Sequence, residues 1–166
     1  MKKYINYDKV KVPIDLKSKD LKLGDKGENY TMKILRKYYP TIKQFRNFFS
    51  PFDFYVKNDN ERKLDIIIEV KTRRVDFYTY DTLAFGYSKM EYAKKELEKN
   101  KDLKIFFCWL LNDKKLYGWE YNGNNDNEYT IGTIQNKFRN QKLSKCCYVN
   151  TKNIKPFEDY HNILSA

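Results

Sequence analysis

The sequence predicts an α/β fold, and three patterns carry that prediction. Two apolar runs, 52–56 and 64–70, flank a polar stretch rich in Asn, Asp and Lys, which is how a β-hairpin reads. Helical patterns stand on either side of it, at about 26–39, stopped by Pro40, and at about 88–99. A continuously apolar run at 103–111 then reads as a central strand, with 116–121 as its hairpin partner.

Taken in order, residues 1–22 mix lysines and aspartates around Pro13 and are expected to form an irregular arm or a short strand. In the first helix, at about 100° per residue, Glu28 shares a face with Met32, Leu35 and Tyr39. A carboxylate pointing where apolar residues point either serves a site or complements the helix dipole from the first turn. Residues 41–50 approach the hairpin through a short strand or turn. Within the hairpin, alternation places Glu69 and Lys71 on one face and Ile66, Ile68 and Val70 on the other. Folding about Asn60 or Glu61 sets Asp53 opposite residues 68–69, so two carboxylates and a lysine converge at one end of a buried strand. Burying them is costly without compensation, and a divalent cation is the natural candidate. Asp65 shares the face of Glu69, but four residues at about 3.3 Å separate the two by roughly 13 Å. One ion cannot join both Asp53 and Asp65 to Glu69, and Asp53 is the preferred partner.

After Lys71 come Thr72-Arg73-Arg74 and an aromatic, polar stretch over 75–87. Interleaved Arg and Tyr suit phosphate and base contacts, or else half-buried loop packing. Ser88-Lys89-Met90-Glu91 has the form of a capping box, and Met90, Ala93 and Leu97 make the apolar stripe of the helix it opens. Residues 122–128 read as a polar loop. Between 135 and 155 stand six basic residues and no acidic one, Lys137, Arg139 and Lys142 among them: a basic patch or a solvated surface. No repeat or linker divides the chain, so a single domain over 1–166 is expected, with an arm at 1–22 and a basic extension at 122–166.

Composition bounds the partners. With 166 residues, 41% hydrophobic and 17% aromatic, the chain can bury a real core. A net charge of +11 and a pI near 9.4 favour a polyanion, DNA above all. The excess of lysine over arginine, with abundant Asn, Tyr and Ile, also fits the codon usage of an AT-rich genome. No window of about 18 apolar residues exists, so no membrane partner is expected. The amino-terminal stretch has no apolar segment of the kind a signal peptide carries. Three cysteines without metal-ligand spacing and one histidine disfavour zinc and suit free thiols in a reducing, intracellular compartment.

Pro51-Phe52-Asp53, a spacer and then Glu69-Val70-Lys71 resemble the signature of the PD-(D/E)XK nucleases. The resemblance runs from the helix bearing Glu28 to the helix opening at Ser88 and covers roughly 24–121. Phe52 separates Pro51 from Asp53, a spacing that the family tolerates. The resemblance implies a restriction-endonuclease-like core, a central mixed β-sheet flanked by helices in the order αβββαβ. It also implies a Mg²⁺-dependent DNA endonuclease, in which Mn²⁺ may substitute. Asp53, Glu69 and the Val70 carbonyl would then bind the metal. Lys71 would face the attacking water or the scissile phosphate, and Glu28 would hold a metal-bound water or a second ion. Lys89 stands where such nucleases often carry a further basic or amide residue. It joins Arg73, Arg74, Lys137, Arg139 and Lys142 as a candidate nucleic-acid contact. A helix Glu close upstream of a compact hairpin, with Ser50 before the motif, is similar to Holliday junction resolvases, which would require a homodimer. A restriction-type endonuclease and a repair or replication exonuclease also fit. A different class is a non-catalytic nucleic-acid-binding module on the same fold, and the presence of Asp53, Glu69 and Lys71 argues against it.

Overall fold

The computed structural model describes residues 4–7, 10–13, 19–45, 51–57, 64–135 and 143–161. In chain order they form β1 (Tyr4–Tyr7), β2 (Val10–Pro13), α1 (Lys19–Leu35), β3 (Lys43–Gln44), β4 (Phe54–Lys57) and β5 (Leu64–Thr72). There follow β6 (Thr82–Gly86), α2 (Tyr87–Lys99), β7 (Lys104–Leu110), β8 (Leu116–Tyr121), β9 (Tyr129–Gln135), β10 (Leu143–Asn150) and β11 (Lys155–Pro156). The architecture is α/β. A six-stranded mixed sheet runs β11-β8-β7-β5-β4-β3, beside a three-stranded sheet β6-β10-β9 and the β1-β2 hairpin.

Strand β5 is the axis of the large sheet. It pairs antiparallel with β4, Phe54 opposite Ile68, and parallel with β7, Glu69 opposite Phe107. A strand paired on both edges and covered on both faces reads as continuous apolar sequence, which is why residues 66–70 are all buried. Alternation then divides the core. Ile66, Ile68 and Val70 join Leu35, Phe54, Phe106, Cys108 and Phe157 under α1 and the C-terminal 3₁₀ turn. Ile67 joins Phe52, Phe107, Trp109 and Trp119 on the other face, closed by Met90 and Ala93 of α2 and by Phe85, Cys147 and Val149 of the small sheet. The Trp109 indole N–H donates to the Ala84 carbonyl at 3.1 Å and ties the two sheets together. All three cysteines are free, and among the described residues no helix is long and apolar enough to cross a membrane.

Several sequence expectations are corrected. The region expected as an irregular arm or a short strand holds two short strands paired as the β1-β2 hairpin, and α1 starts at Lys19 rather than near residue 26. Gly24 inside a helix costs only about 1 kcal/mol relative to Ala, too little to forbid the turn before it. At its other end α1 closes at Leu35, short of Tyr39. The chain tightens into three-residue turns there, Lys37 N–H donating to Ile34 and Tyr38 N–H to Leu35, ahead of Pro40. The capping box at Ser88 does not form. Gly86 is the N-cap, because β6 runs directly into α2 with Gly86 still paired to Cys146. Strand β6 itself was expected as loop; its pairing partner β10 is distant in sequence, and only Leu83 and Phe85 signal it locally. The stretch 122–166, expected as an extension, supplies β9, β10 and β11.

One close approach positions α1. A Cβ at Gly27 would lie 1.8 Å from Thr72 Oγ1, 3.0 Å from Thr72 Cβ and 3.2 Å from its Cγ2, so turning the hydroxyl aside would still leave the Thr72 Cβ in tight contact. Glycine here lets the helix pass against the end of β5 and bring Glu28 to that end. We expect Gly27→Ala to destabilise the fold by about 2 kcal/mol, overpacking outweighing the helix propensity it gains. Chemical denaturation measures the loss, and Thr72→Ala in the same chain should recover part of it.

Candidate active site

Asp53 is held at the point where β4 begins. Its amide N–H donates to the Ile68 carbonyl at 3.1 Å, and its own carbonyl accepts from Phe45 N–H at 2.9 Å. Its carboxylate Oδ2 accepts from the Val70 N–H at 2.7 Å, taking the place that the backbone carbonyl of a continued strand would fill. The register thus sets Asp53 beside Glu69, as hairpin folding about residues 60–61 leads one to expect.

Glu69 is only 2% exposed. Its Oε1 lies 2.8 Å from Lys71 Nζ, two residues along the same face of β5, and 3.4 Å from Lys89 Nζ. Lys89 reaches in from the first turn of α2 and also donates to the Pro51 carbonyl. The second oxygen, Glu69 Oε2, is buried without a hydrogen-bond partner. An orphaned carboxylate oxygen in a dry site is expensive and calls for a ligand.

Electrostatics agree with the geometry. Burial, then the charge of Glu28, raises Asp53 to about 6, against the opposing pull of the Val70 N–H, Lys71 and Lys89. Burial, then the charge of Asp53, raises Glu69 to about 7, although Lys71 and Lys89 pull it down. Glu28 lies at the edge of this pair. Its Oε2 accepts from Gln44 Nε2 of β3 at 3.0 Å. Among the described residues no group of three or more His, Cys, Asp or Glu is gathered tightly enough to hold a metal ion. The fold therefore assembles a carboxylate pair with two lysines. Two hard oxygen donors, one of them with an unpartnered oxygen, fit a small divalent cation that keeps most of its waters. Val70, between Glu69 and Lys71, lends its backbone to the same corner through the hydrogen bond to Asp53.

The structure thus brings Asp53, Glu69, Lys71 and Lys89 together, with Glu28 near them. Asp65 is exposed, and Arg73 and Arg74 are exposed just past the end of β5. Lys137, Arg139 and Lys142 lie outside the described residues. Lys89, expected as a nucleic-acid contact, is turned onto Glu69. Its position four residues before buried Ala93 was the available signal, since that spacing puts it on the apolar side of α2. Gln44, which the sequence offers as a solvated residue or a nucleic-acid contact, instead holds Glu28, and the Pro51 carbonyl holds Lys89; both roles depend on contacts between distant segments.

Both carboxyls bind protons more tightly in the folded chain than in the unfolded one. Their contribution is therefore most favourable below the ordinary carboxylate range and is lost as pH rises through the folded values. The stability of the wild type relative to Glu69→Gln should fall by about 3 kcal/mol as pH rises from about 4.5 to about 7 without divalent metal. Denaturant titrations in chelator across that range measure it, and a flat difference would contradict the assignment. No family model, curated protein or solved structure matches the chain.

Proposed function

We propose that this protein is a Mg²⁺-dependent deoxyribonuclease of the PD-(D/E)XK type, cutting phosphodiester bonds within DNA. The observation that carries this reading is the buried Glu69 carboxylate, one oxygen against two lysines and the other unpartnered, beside Asp53. The order of elements supports it. Helix α1, an antiparallel β3-β4-β5 meander, helix α2 and then β7 parallel to β5 follow the αβββαβ pattern of a restriction-endonuclease-like core, with β6 added before α2. The net charge of +11 suits a polyanionic substrate.

Asp53, Glu69 and the Val70 carbonyl would hold the cation. When bound, Mg²⁺ would act as a Lewis acid on the phosphoryl oxygens and make the attacking water more acidic. Lys71 is 29% exposed, so its ammonium meets both Glu69 and an incoming phosphate and can neutralise the charge that develops there. Lys89 keeps Oε1 of Glu69 engaged, and Oε2, which has no hydrogen-bond partner, would be the oxygen that takes the cation. Because Asp53 and Glu69 ionise near neutrality, loading the cation displaces protons, and its affinity rises as pH passes 6–7.

The test is a cleavage panel of supercoiled, linear and branched DNA with Mg²⁺ or Mn²⁺. We expect metal-dependent cutting, abolished by chelator and by Glu69→Ala, with Glu69→Ala still binding DNA in chelator. Lys71→Ala should lower the rate by about 10²–10³-fold. A wild type that binds every substrate and cuts none would make it a non-catalytic nucleic-acid-binding module. Glu69→Ala cutting at the wild-type rate would remove the assigned site. A light-scattering mass would decide whether paired nicking by a homodimer is available.

A further inference from the structure

Residues 73–81 leave the end of β5 beside the site and carry two solvent-facing aromatics, Tyr78 at 91% exposure and Tyr80 at 61%. Neither exposure serves the core, yet the segment is firmly tied. Arg73 N–H donates to the Leu110 carbonyl at 3.0 Å, and Asn112 N–H donates to the Val75 carbonyl at 3.1 Å. Thr79 N–H closes a turn onto the Asp76 carbonyl at 3.0 Å, and Thr151 N–H holds the Asp81 carbonyl at 2.9 Å. Beneath Tyr78, Phe77 stacks on Tyr117, centroids 4.5 Å apart and planes within 8°. The Tyr117 hydroxyl is anchored on Asp113 at 2.6 Å, and Tyr78 meets Phe77 edge-on at 5.1 Å. A rigid aromatic pedestal thus displays one open tyrosine ring.

Register places Tyr117, the base of this pedestal, relative to the site. Lys71 pairs with Trp109, and Trp109 with Tyr117, so the three stand in one row across β5, β7 and β8. Two strand spacings put Tyr117 about 10 Å from Lys71, within the span of a few nucleotides. Exposed Arg74 lies along the connection.

We propose that Tyr78, supported by Tyr80 and Arg74, is a stacking platform for an unpaired base of the DNA, so that the preferred substrate carries a single-stranded segment next to the scissile bond. Bases inside a duplex have both faces covered by their neighbours. Only an unpaired or terminal base can offer a face to a tyrosine, and the adjacent cation suits its phosphate. The positive chain charge favours this occupant over a protein surface. The inference rests on the nuclease reading for its link to cutting, while the binding it predicts needs no catalysis.

The experiment measures equilibrium binding in chelator of fluorescent oligodeoxynucleotides: a single strand, a blunt duplex and a fork with unpaired arms. The wild-type 166-residue chain is compared with Tyr78→Ala and Tyr78→Phe, their folding checked by circular dichroism. Tyr78→Ala should lose on the order of 10- to 100-fold affinity for the single strand and the fork and change little on the duplex, with Tyr78→Phe near wild type. Wild-type affinity of Tyr78→Ala for the single strand overturns the proposal, as does an equal loss on all three. So does an effect confined to the mass in solution, which would assign the ring to a second copy of the chain. Selective loss without any metal-dependent cleavage would uphold the platform and remove the nuclease reading. Cleavage with unchanged single-strand binding would do the reverse.

Discussion

Much of the site follows from one unfavourable act, the burial of the Glu69 carboxylate at the end of a strand that is covered on both faces. A charge there must be compensated, and the compensation comes from two directions. Lys71 lies on the same strand and Lys89 comes from α2, while Asp53, fixed by the backbone N–H of Val70, sets a second acidic group against Glu69. The two lysines engage only one of the two oxygens of Glu69. What remains is a dry, electron-rich corner beside a second carboxylate, each of which holds its proton to near neutrality.

The rest of the fold keeps that corner in place. Helix α1 can approach the end of β5 because Gly27 leaves room for Thr72, and the approach lets the charge of Glu28 reach Asp53. On the opposite face α2 and the small sheet close over Phe107, Trp109 and Trp119, so the first turn of α2 arrives at Glu69. The polar ends of the buried aromatics are satisfied by the loop after β8. Trp119 donates to Glu128 at 3.1 Å, Tyr121 donates to Asp126 at 2.8 Å, and the Asn125 amide closes the loop on the Glu120 carbonyl at 2.8 Å. Large aromatics can fill this core because their N–H and O–H groups find partners at its rim.

Local pattern made a good part of this legible. The alternation of Ile66, Ile68 and Val70 against Glu69 and Lys71 appears in the structure as two separate core clusters, one on each side of β5. The spacing between Asp53 and Glu69 was readable because a hairpin's register is set by its own two strands and their turn. Strand β8 and the polar loop behind it were readable for the same reason. Strand β6 was harder to read: its hydrogen bonds go to β10, and no residue near it in sequence announces that partner. Helix caps failed similarly, since Gly86 caps α2 through its place in a sheet and not through a side chain.

The sequence by itself determined which residues are apolar, with what period, and hence the hairpin, the central strand and the face on which Glu69 and Lys71 emerge. Periodicity and short turns are properties of neighbouring residues, so the chain order contains them. Tertiary structure alone decided that Lys89 closes on Glu69, that one oxygen of Glu69 is left without a partner, and that Phe77 rests on Tyr117 with Tyr78 open to solvent. Each of these depends on segments far apart in the chain meeting at one distance and one angle. Packing sets those distances, and no local pattern encodes them.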